Sequence, residues 1–260
     1  MVKEYIQILG CGSSQGVPKM DGSWGDCKKH KKNIRTRCSI FVKINKSKFI
    51  IDTSPDIRSQ FLKNKINDID FALFTHAHAD HILGINELRT FYLKYKERFN
   101  IYLTKHTEKS LKKMFKYLFI NQKNYPAVLK ANILKKKSKI KNLKVETIKV
   151  SHGTMQTIGF KINKFAYIPD FKIIEKTELK KLKNLDVLII DCFRYRPHNT
   201  HVNFAECLEY IKLINPKRAY LTNMYHEVDY FKLKSKIKNK NILPCYDGLK
   251  IKITNFKQCM

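Results

Sequence analysis

A layered α/β sandwich is the fold this sequence predicts, and three observations point to it. The first half is rich in short strands with one inserted helical stretch, and the second half alternates strands with helices, the pattern of sheets covered by helices. Polar residues repeatedly follow strand ends, as at Thr75, His152, Asp170 and Asn223, where a layered fold converges them on one edge. The chain has 260 residues, 43% hydrophobic and 12% aromatic, enough for one sizeable core. No repeat or low-complexity linker divides it, so residues 1–260 read as one domain.

Each element has its own signal. Glu4–Leu9 reads as a strand ending in the turn Gly10-Cys11-Gly12-Ser13-Ser14. Ser39–Ile44 and Phe49–Asp52 read as a hairpin around Asn45-Lys46-Ser47-Lys48. Ile57–Lys65 suits a short helix. Phe71-Ala72-Leu73-Phe74 is a short apolar run, hence a buried strand, and it leads directly into Thr75-His76. Ile85–Lys96 reads as a helix with Leu88, Phe91, Tyr92 and Tyr95 on one face. Ile101–Leu103 is a strand, followed by a helix over Glu108–Leu118. Val145–Ser151 is a strand that ends at His152. Gly159–Asn163 and Phe165–Ile168 form a pair that ends at Asp170. Val187–Asp191 is a strand, with His198 and His201 in the loop after it. Phe204–Ile214 is a helix with Leu208, Ile211 and Leu213 as core candidates, and Arg218–Thr222 is a strand that ends at Asn223.

The charge is extreme: 52 basic residues against 22 acidic, a net +30. Such a balance suits a nucleic-acid or other anionic partner. Yet the surplus is mostly Lys, dispersed among abundant Ile and Asn, which AT-rich codons encode, and Arg is scarce. Charge without a motif is weak evidence of function, so the surplus reads as compositional. The run Lys135-Lys136-Lys137-Ser138-Lys139 reads as a solvated loop. Apolar runs fall short of the ~20 residues a membrane span needs. The start Met1-Val2-Lys3-Glu4-Tyr5 has no secretory pattern, so the expected location is cytoplasmic. Seven scattered cysteines (Cys11, Cys27, Cys38, Cys192, Cys207, Cys245 and Cys259) show no disulfide spacing and read mostly as small buried apolar groups.

The chemistry sits in Thr75-His76-Ala77-His78-Ala79-Asp80-His81. His76 and His78 lie two apart, so in extended backbone they share one side. Asp80 and His81 follow where the chain turns toward the next helix. Together they make two adjacent cation sites, the first rich in imidazole and the second mixed with carboxylate. The chain has only nine His, so three within six residues is not a chance polar loop.

His-x-His-x-Asp-His after a strand resembles the signature of the metallo-β-lactamase fold hydrolases. Gly10 to Pro18, Thr75 to Gly84, Pro197-His198-Asn199-Thr200-His201 and Tyr246-Asp247-Gly248 look like the branch that contains the phosphoribosyl 1,2-cyclic phosphate phosphodiesterases. The resemblance implies a four-layer αββα sandwich and a homodimer. It implies that His152 is the third His of the first site and that Asp170 bridges both ions. It implies that His201 is the active-site His that assists at the phosphate. One departure stands out. The family's last second-site His falls in a Leu-Thr-His pattern, whereas this chain has Leu221-Thr222-Asn223, then Met224-Tyr225-His226. His226 is placed at the second metal, with Asn223 as the alternative through its carbonyl. Some relatives carry a separate structural zinc. Here only Cys27 and His30 remain of that cluster, short of the four ligands such a site wants.

The expected metal set is therefore His76, His78, Asp80, His81, His152, Asp170 and His226, with two divalent ions, Zn or Mn, Fe being compatible. A water shared by the ions would have its pKa lowered toward ~7. Asp80 would orient that water as well as bind metal. His201 would bind a phosphoryl oxygen or protonate the leaving alkoxide. The expected activity is phosphodiester hydrolysis on a small cyclic ribose phosphate. A superfamily nuclease such as a tRNA 3′-processing endonuclease is the alternative that the charge favours, but no long Gly/Pro-rich arm is present. A non-catalytic nucleic-acid-binding relative is a further alternative, opposed by the retained His cluster.

Overall fold

The structure, a computed structural model, describes residues 4–253. Cys259 and the Met1–Lys3 start lie outside the described residues. The strands are β1 (Tyr5–Gly10), β2 (Ser39–Ile44), β3 (Ser47–Ile51), β4 (Phe71–Leu73), β5 (Phe99–Leu103) and β6 (Leu129–Ile133), then β7 (Lys137–Ile140), β8 (Leu143–His152), β9 (Met155–Ile162), β10 (Phe165–Ile168), β11 (Val187–Asp191), β12 (Ala219–Thr222), β13 (Ile242–Pro244) and β14 (Lys250–Lys252). They form two seven-stranded sheets, ordered β14-β1-β2-β3-β4-β5-β6 and β13-β12-β11-β10-β9-β8-β7. Each sheet is antiparallel at one end and parallel at the other: β3 to β6 run parallel, as do β10 to β13.

Side-chain alternation along the strands builds the layers. Ile6, Ile8, Ile40, Val42, Phe49 and Phe71 share one core with Val145, Phe160, Phe165 and Ile189, so they fill the space between the sheets. Leu9, Phe41, Ile50 and Ala72 face the other way, against Ile57, Phe91 and Leu111 of the helices outside the first sheet. Cys207, Ile211 and Leu233 bring the helices Phe204–Ile214 and Tyr230–Lys236 onto the second sheet. The result is the αββα order expected. No helix of the described residues is long and apolar enough to cross a membrane.

Several elements differ from the sequence reading. The β2–β3 turn is tighter: Asn45 and Lys46 alone carry it, at φ +48° and +64°, and Ser47 already pairs with Ile44. This is the two-residue geometry whose twist matches the flanking strands. Only Lys135 and Lys136 of the Lys run lie in a loop. Lys137–Ile140 pairs with Leu143–Glu146 as an edge strand, and lysines suit an edge because they discourage further pairing. The stretch after His81 is two pieces, a 3₁₀ helix at Leu83–Leu88 and an α-helix at Arg89–Tyr95, with Tyr95 half exposed. The next helix starts early, at Lys105, because Thr104 caps it by accepting the Thr107 N–H. It stops at Met114, and a separate turn covers Lys116–Phe119. Leu213 points outward, while Ile211 and Leu208 pack inward.

The N-terminal turn explains its own glycines. A Cβ on Gly10 would lie 2.1 Å from the Arg37 carbonyl oxygen. Asp247, partly buried, accepts the Cys11 and Thr36 amides at 3.1 and 2.7 Å. The Tyr246-Asp247-Gly248 segment is therefore a staple for this turn, which bridges at Gly12 to Met224 beside the site.

Candidate metal centre

Asp52 follows β3 in a left-handed conformation, φ +65°. Its carboxylate is fully buried. It accepts the Thr75 N–H and the Thr75 hydroxyl, each at 2.8 Å, and meets His81 Nδ1 at 2.8 Å. One side chain thus fixes both ends of the His-rich loop beyond β4. Thr75 Oγ1 gives its proton to Asp52, so it accepts from His76 Nδ1 at 2.9 Å. That tautomer leaves a lone pair on His76 Nε2, which sits 3.0 Å from His78 Nδ1. His152 ends β8, and its Nδ1 donates to the Thr200 carbonyl at 2.8 Å. Its Nε2 is likewise left with a lone pair, the usual device for aiming a metal-binding imidazole.

The ligand atoms of His76, His78 and His152 lie within 4.8 Å of one another. So do those of His76, His81 and Asp170, and those of His152, Asp170 and His201. Asp170 joins the groups: Oδ1 is 3.2 Å from His81 Nε2 and Oδ2 is 4.0 Å from His201 Nε2. Asp80 Oδ2 is 3.5 Å from the same His81 nitrogen.

The charges show what the cluster lacks. Burial and then the neighbouring His81 hold the His76 imidazole well below its ordinary pKa, and burial lowers His152. Both are neutral, the form that binds metal. Burial opposes a charge on His81 too, yet Asp170, Asp80 and Asp52 raise it well above its ordinary value. Burial would raise Asp170, but His81 holds it well below the carboxylate range. His81 Nε2 and Asp170 Oδ1 are both buried without a hydrogen-bond partner. With His81 Nδ1 engaged by Asp52, a neutral His81 would turn its Nε2 lone pair toward Asp170 Oδ1, 3.2 Å away, and a cation, either a proton or a metal ion, satisfies both. Imidazole and carboxylate together fit a divalent ion, so the residues present suit the implied metals.

His201 stands beside this cluster with its own carboxylate. Its Nδ1 meets Asp191 Oδ2 at 2.8 Å, and its ring stacks on Phe193 at 4.3 Å, 9° from parallel. Burial pushes Asp191 up to about 7. Burial would lower His201, but Asp191 outweighs it and holds the ring above its ordinary value. His198 lies next to it, turned to its own loop, where Nδ1 accepts the Thr200 amide at 3.2 Å. Burial and then the His201 charge lower His198 to about 4.

The structure brings together His76, His78, Asp80, His81, His152, Asp170 and His201. It does not bring His226 to them, and this corrects the sequence reading. Asn223 has φ +59°, and the chain then pairs Met224 with Cys11 and Ser13. That path carries His226 to Gly25, where a Cβ would lie 2.2 Å from His226 Nδ1. Among the described residues His226 belongs to no group of close ligand atoms. Nor do Cys27 and His30. The space among these loops holds Arg35, 1% exposed. Its guanidinium donates to the Tyr225 and Val228 carbonyls at 3.4 and 2.5 Å and to Asn33 Oδ1 at 3.1 Å, with the Cys27 sulfur at 4.0 Å. Sequence reasoning passed over Asp52 and Asp191. Their signal was present: each is a carboxylate closing a run of buried β-branched and apolar residues, Phe49-Ile50-Ile51 and Val187-Leu188-Ile189-Ile190.

Residues 47–224 match the family model described as the beta-lactamase superfamily domain. The chain belongs to the beta-lactamase superfamily. It has the metallo-β-lactamase fold, and its His/Asp clusters fit divalent-metal binding. A solved diphosphatase of the PhnP family is 28% identical with a TM-score of 0.88, covering 96% of this chain and 98% of that one, which supports a PhnP-like branch. Zn-bound PqqB from Methylobacterium extorquens shares the fold at 18% identity and a TM-score of 0.78, over 96% and 100% of the two chains. A protein named octanoyltransferase, from Porphyromonas gingivalis, is 30% identical over 251 residues, 93% of this chain and 50% of its own length. The chain thus spans about half of that curated relative.

Proposed function

We propose that this superfamily member is a metal-dependent phosphoric diester hydrolase acting on a small cyclic ribose phosphate. The observation that carries the reading is Asp170, with one oxygen toward His81 and the other toward His201. It joins a donor set for cations to an imidazole suited to a phosphate. His76, His78, His152 and Asp170 would hold one ion, and Asp80, His81 and Asp170 the other. Bound divalent ions supply a water of lowered pKa and positive charge for the phosphoryl oxygens.

The chain's own residues do the rest. Asp52 fixes the tautomer of His81 and, through Thr75, that of His76. Asp80, whose carboxylate stands 3.5 Å from His81 Nε2, would accept a proton from the attacking water and orient it. His201, protonated because Asp191 raises its pKa, hydrogen-bonds a phosphoryl oxygen and donates its Nε2 proton to the leaving alkoxide. Phe193 fixes the plane of that ring. The similarity to a PhnP-family diphosphatase supports a small phosphorylated substrate, and the dispersed Lys gives no reason to prefer RNA.

The test compares hydrolysis of a ribose cyclic phosphate, bis(p-nitrophenyl) phosphate, a nucleoside diphosphate and a tRNA precursor by metal-loaded protein. The cyclic phosphate should give the highest kcat/KM. Preference for the diphosphate would move the reading to anhydride hydrolysis, and selective cleavage of the precursor would move it to a nuclease. No turnover of any of them by metal-loaded protein would end the hydrolytic reading.

A further inference from the structure

The donor set is lopsided, and the inference drawn from this rests on the metal-dependent reading above. Three imidazoles, His76, His78 and His152, converge on one side of Asp170. On the other side stand Asp80, His81 and the shared Asp170. The residue at the adjoining strand end is Asn223, one position past β12 and 1% exposed. Its Nδ2 lies 3.3 Å from Asp191 Oδ1 and 3.4 Å from His201 Nδ1, and its Oδ1 accepts from the Cys38 thiol at 3.8 Å. The lone pairs of the amide are therefore turned to Cys38. The end that faces the His201–Asp191 pair carries only N–H groups, which cannot bind a cation.

We propose that the two ion positions are unequal, because Asn223 is committed to Asp191 and Cys38 and leaves the Asp80/His81/Asp170 position one protein donor short. The imidazole-rich position holds its ion tightly. The carboxylate-rich position holds a harder, exchangeable ion, since carboxylate suits Mn or Mg better than imidazole does. The left-handed backbone at 223 admits His nearly as well as Asn, so one substitution can supply the missing donor.

The experiment counts ions. Chelator-stripped wild type, Asn223→His and His76→Ala are reloaded with Zn or Mn, passed through gel filtration in metal-free buffer, and measured by elemental mass spectrometry. Binding is followed in parallel by calorimetry. Wild type should retain about one ion per chain. Its second ion should bind at least ~10-fold more weakly, since even support of a ligand is worth ~10–100-fold in affinity. Asn223→His should retain about two ions and tighten the second step by a similar factor. Two equally tight ions on wild type, with loss in His76→Ala, would overturn the inequality and leave the metal centre standing. A folded Asn223→His that behaves as wild type would also overturn it. No binding to wild type under any loading would overturn the metal reading itself, and this inference with it. Should Asn223→His fail to fold, the wild-type stoichiometry decides alone.

Discussion

Two buried carboxylate–imidazole pairs flank Asp170, one from each sheet. Asp52–His81 comes from the ends of β3 and β4, and Asp191–His201 from the end of β11 and the loop after it. In both, an aspartate oxygen sits 2.8 Å from Nδ1. The second nitrogens differ. The His81 side chain is 0% exposed and its Nε2 lies 3.2 Å from Asp170, whereas that of His201 is 11% exposed and its Nε2 lies 4.0 Å from the same residue. His81 is enclosed by three carboxylates, and His201 rests against an aromatic ring at the mouth. On the proposed reading one local device serves two ends: in one pair it would hold a ligand for a cation, and in the other a proton for a substrate.

The comparison breaks first where the ions would bind. His76→Ala combined with His78→Ala should abolish metal retention and turnover together, read by elemental analysis and bis(p-nitrophenyl) phosphate hydrolysis. Activity that survives prolonged chelation, with no metal in the protein, would remove the basis for treating His81 as a ligand at all.

His201→Ala tests the other pair. It should keep the metal content and melting temperature while turnover drops ~10²–10⁴-fold, the usual worth of acid–base or oxyanion assistance. His198→Ala is its control and should have little effect on rate. If loss of His201 instead lowers metal occupancy, the two pairs do the same job.

Removing the carboxylates separates the pairs more finely. Asp52→Asn should weaken metal binding by ~10–100-fold, the range for a residue that orients a ligand, with stoichiometry measured under limiting metal. Asp191→Asn should leave metal binding nearly intact and shift the pH–rate profile. In the proposed role His201 acts protonated, so the rate should fall as pH rises through its pKa. Asp191 raises that pKa against burial, so its replacement by the neutral amide should move the descending limb to lower pH. A limb that stays in place would show that Asp191 positions the ring without tuning it.

The half of the centre from His76 to His81 was legible because its ligands are neighbours in sequence and follow a buried strand. His152, Asp170 and His201 are scattered, and a lone His or Asp carries little signal without the resemblance. Asp52 and Asp191 stayed hidden for the same reason: a single carboxylate after an apolar run looks like any turn. His226 was misplaced because a separation of three residues from Asn223 does not reveal the left-handed bend between them. A layered α/β sandwich was readable from the alternation of elements, and the αββα order from the resemblance. The edge strand at Lys137–Ile140 was not, since its lysines mask the period-two pattern, and the 3₁₀ break at Leu83–Leu88 obeys packing around Gly84, whose Cβ would sit 2.2 Å from the Ser54 carbonyl oxygen.

Arg35 gives the molecule one more property. The segment that carries Asn223 to the centre continues through Tyr225 and Val228, and both carbonyls are held by a guanidinium. That group is covalently part of the chain and offers nothing for a chelator to remove. On the proposed reading, the wall on this side would keep its shape when the centre is emptied. Reloading would then be capture by a waiting surface, where a metal-tied loop would first have to refold.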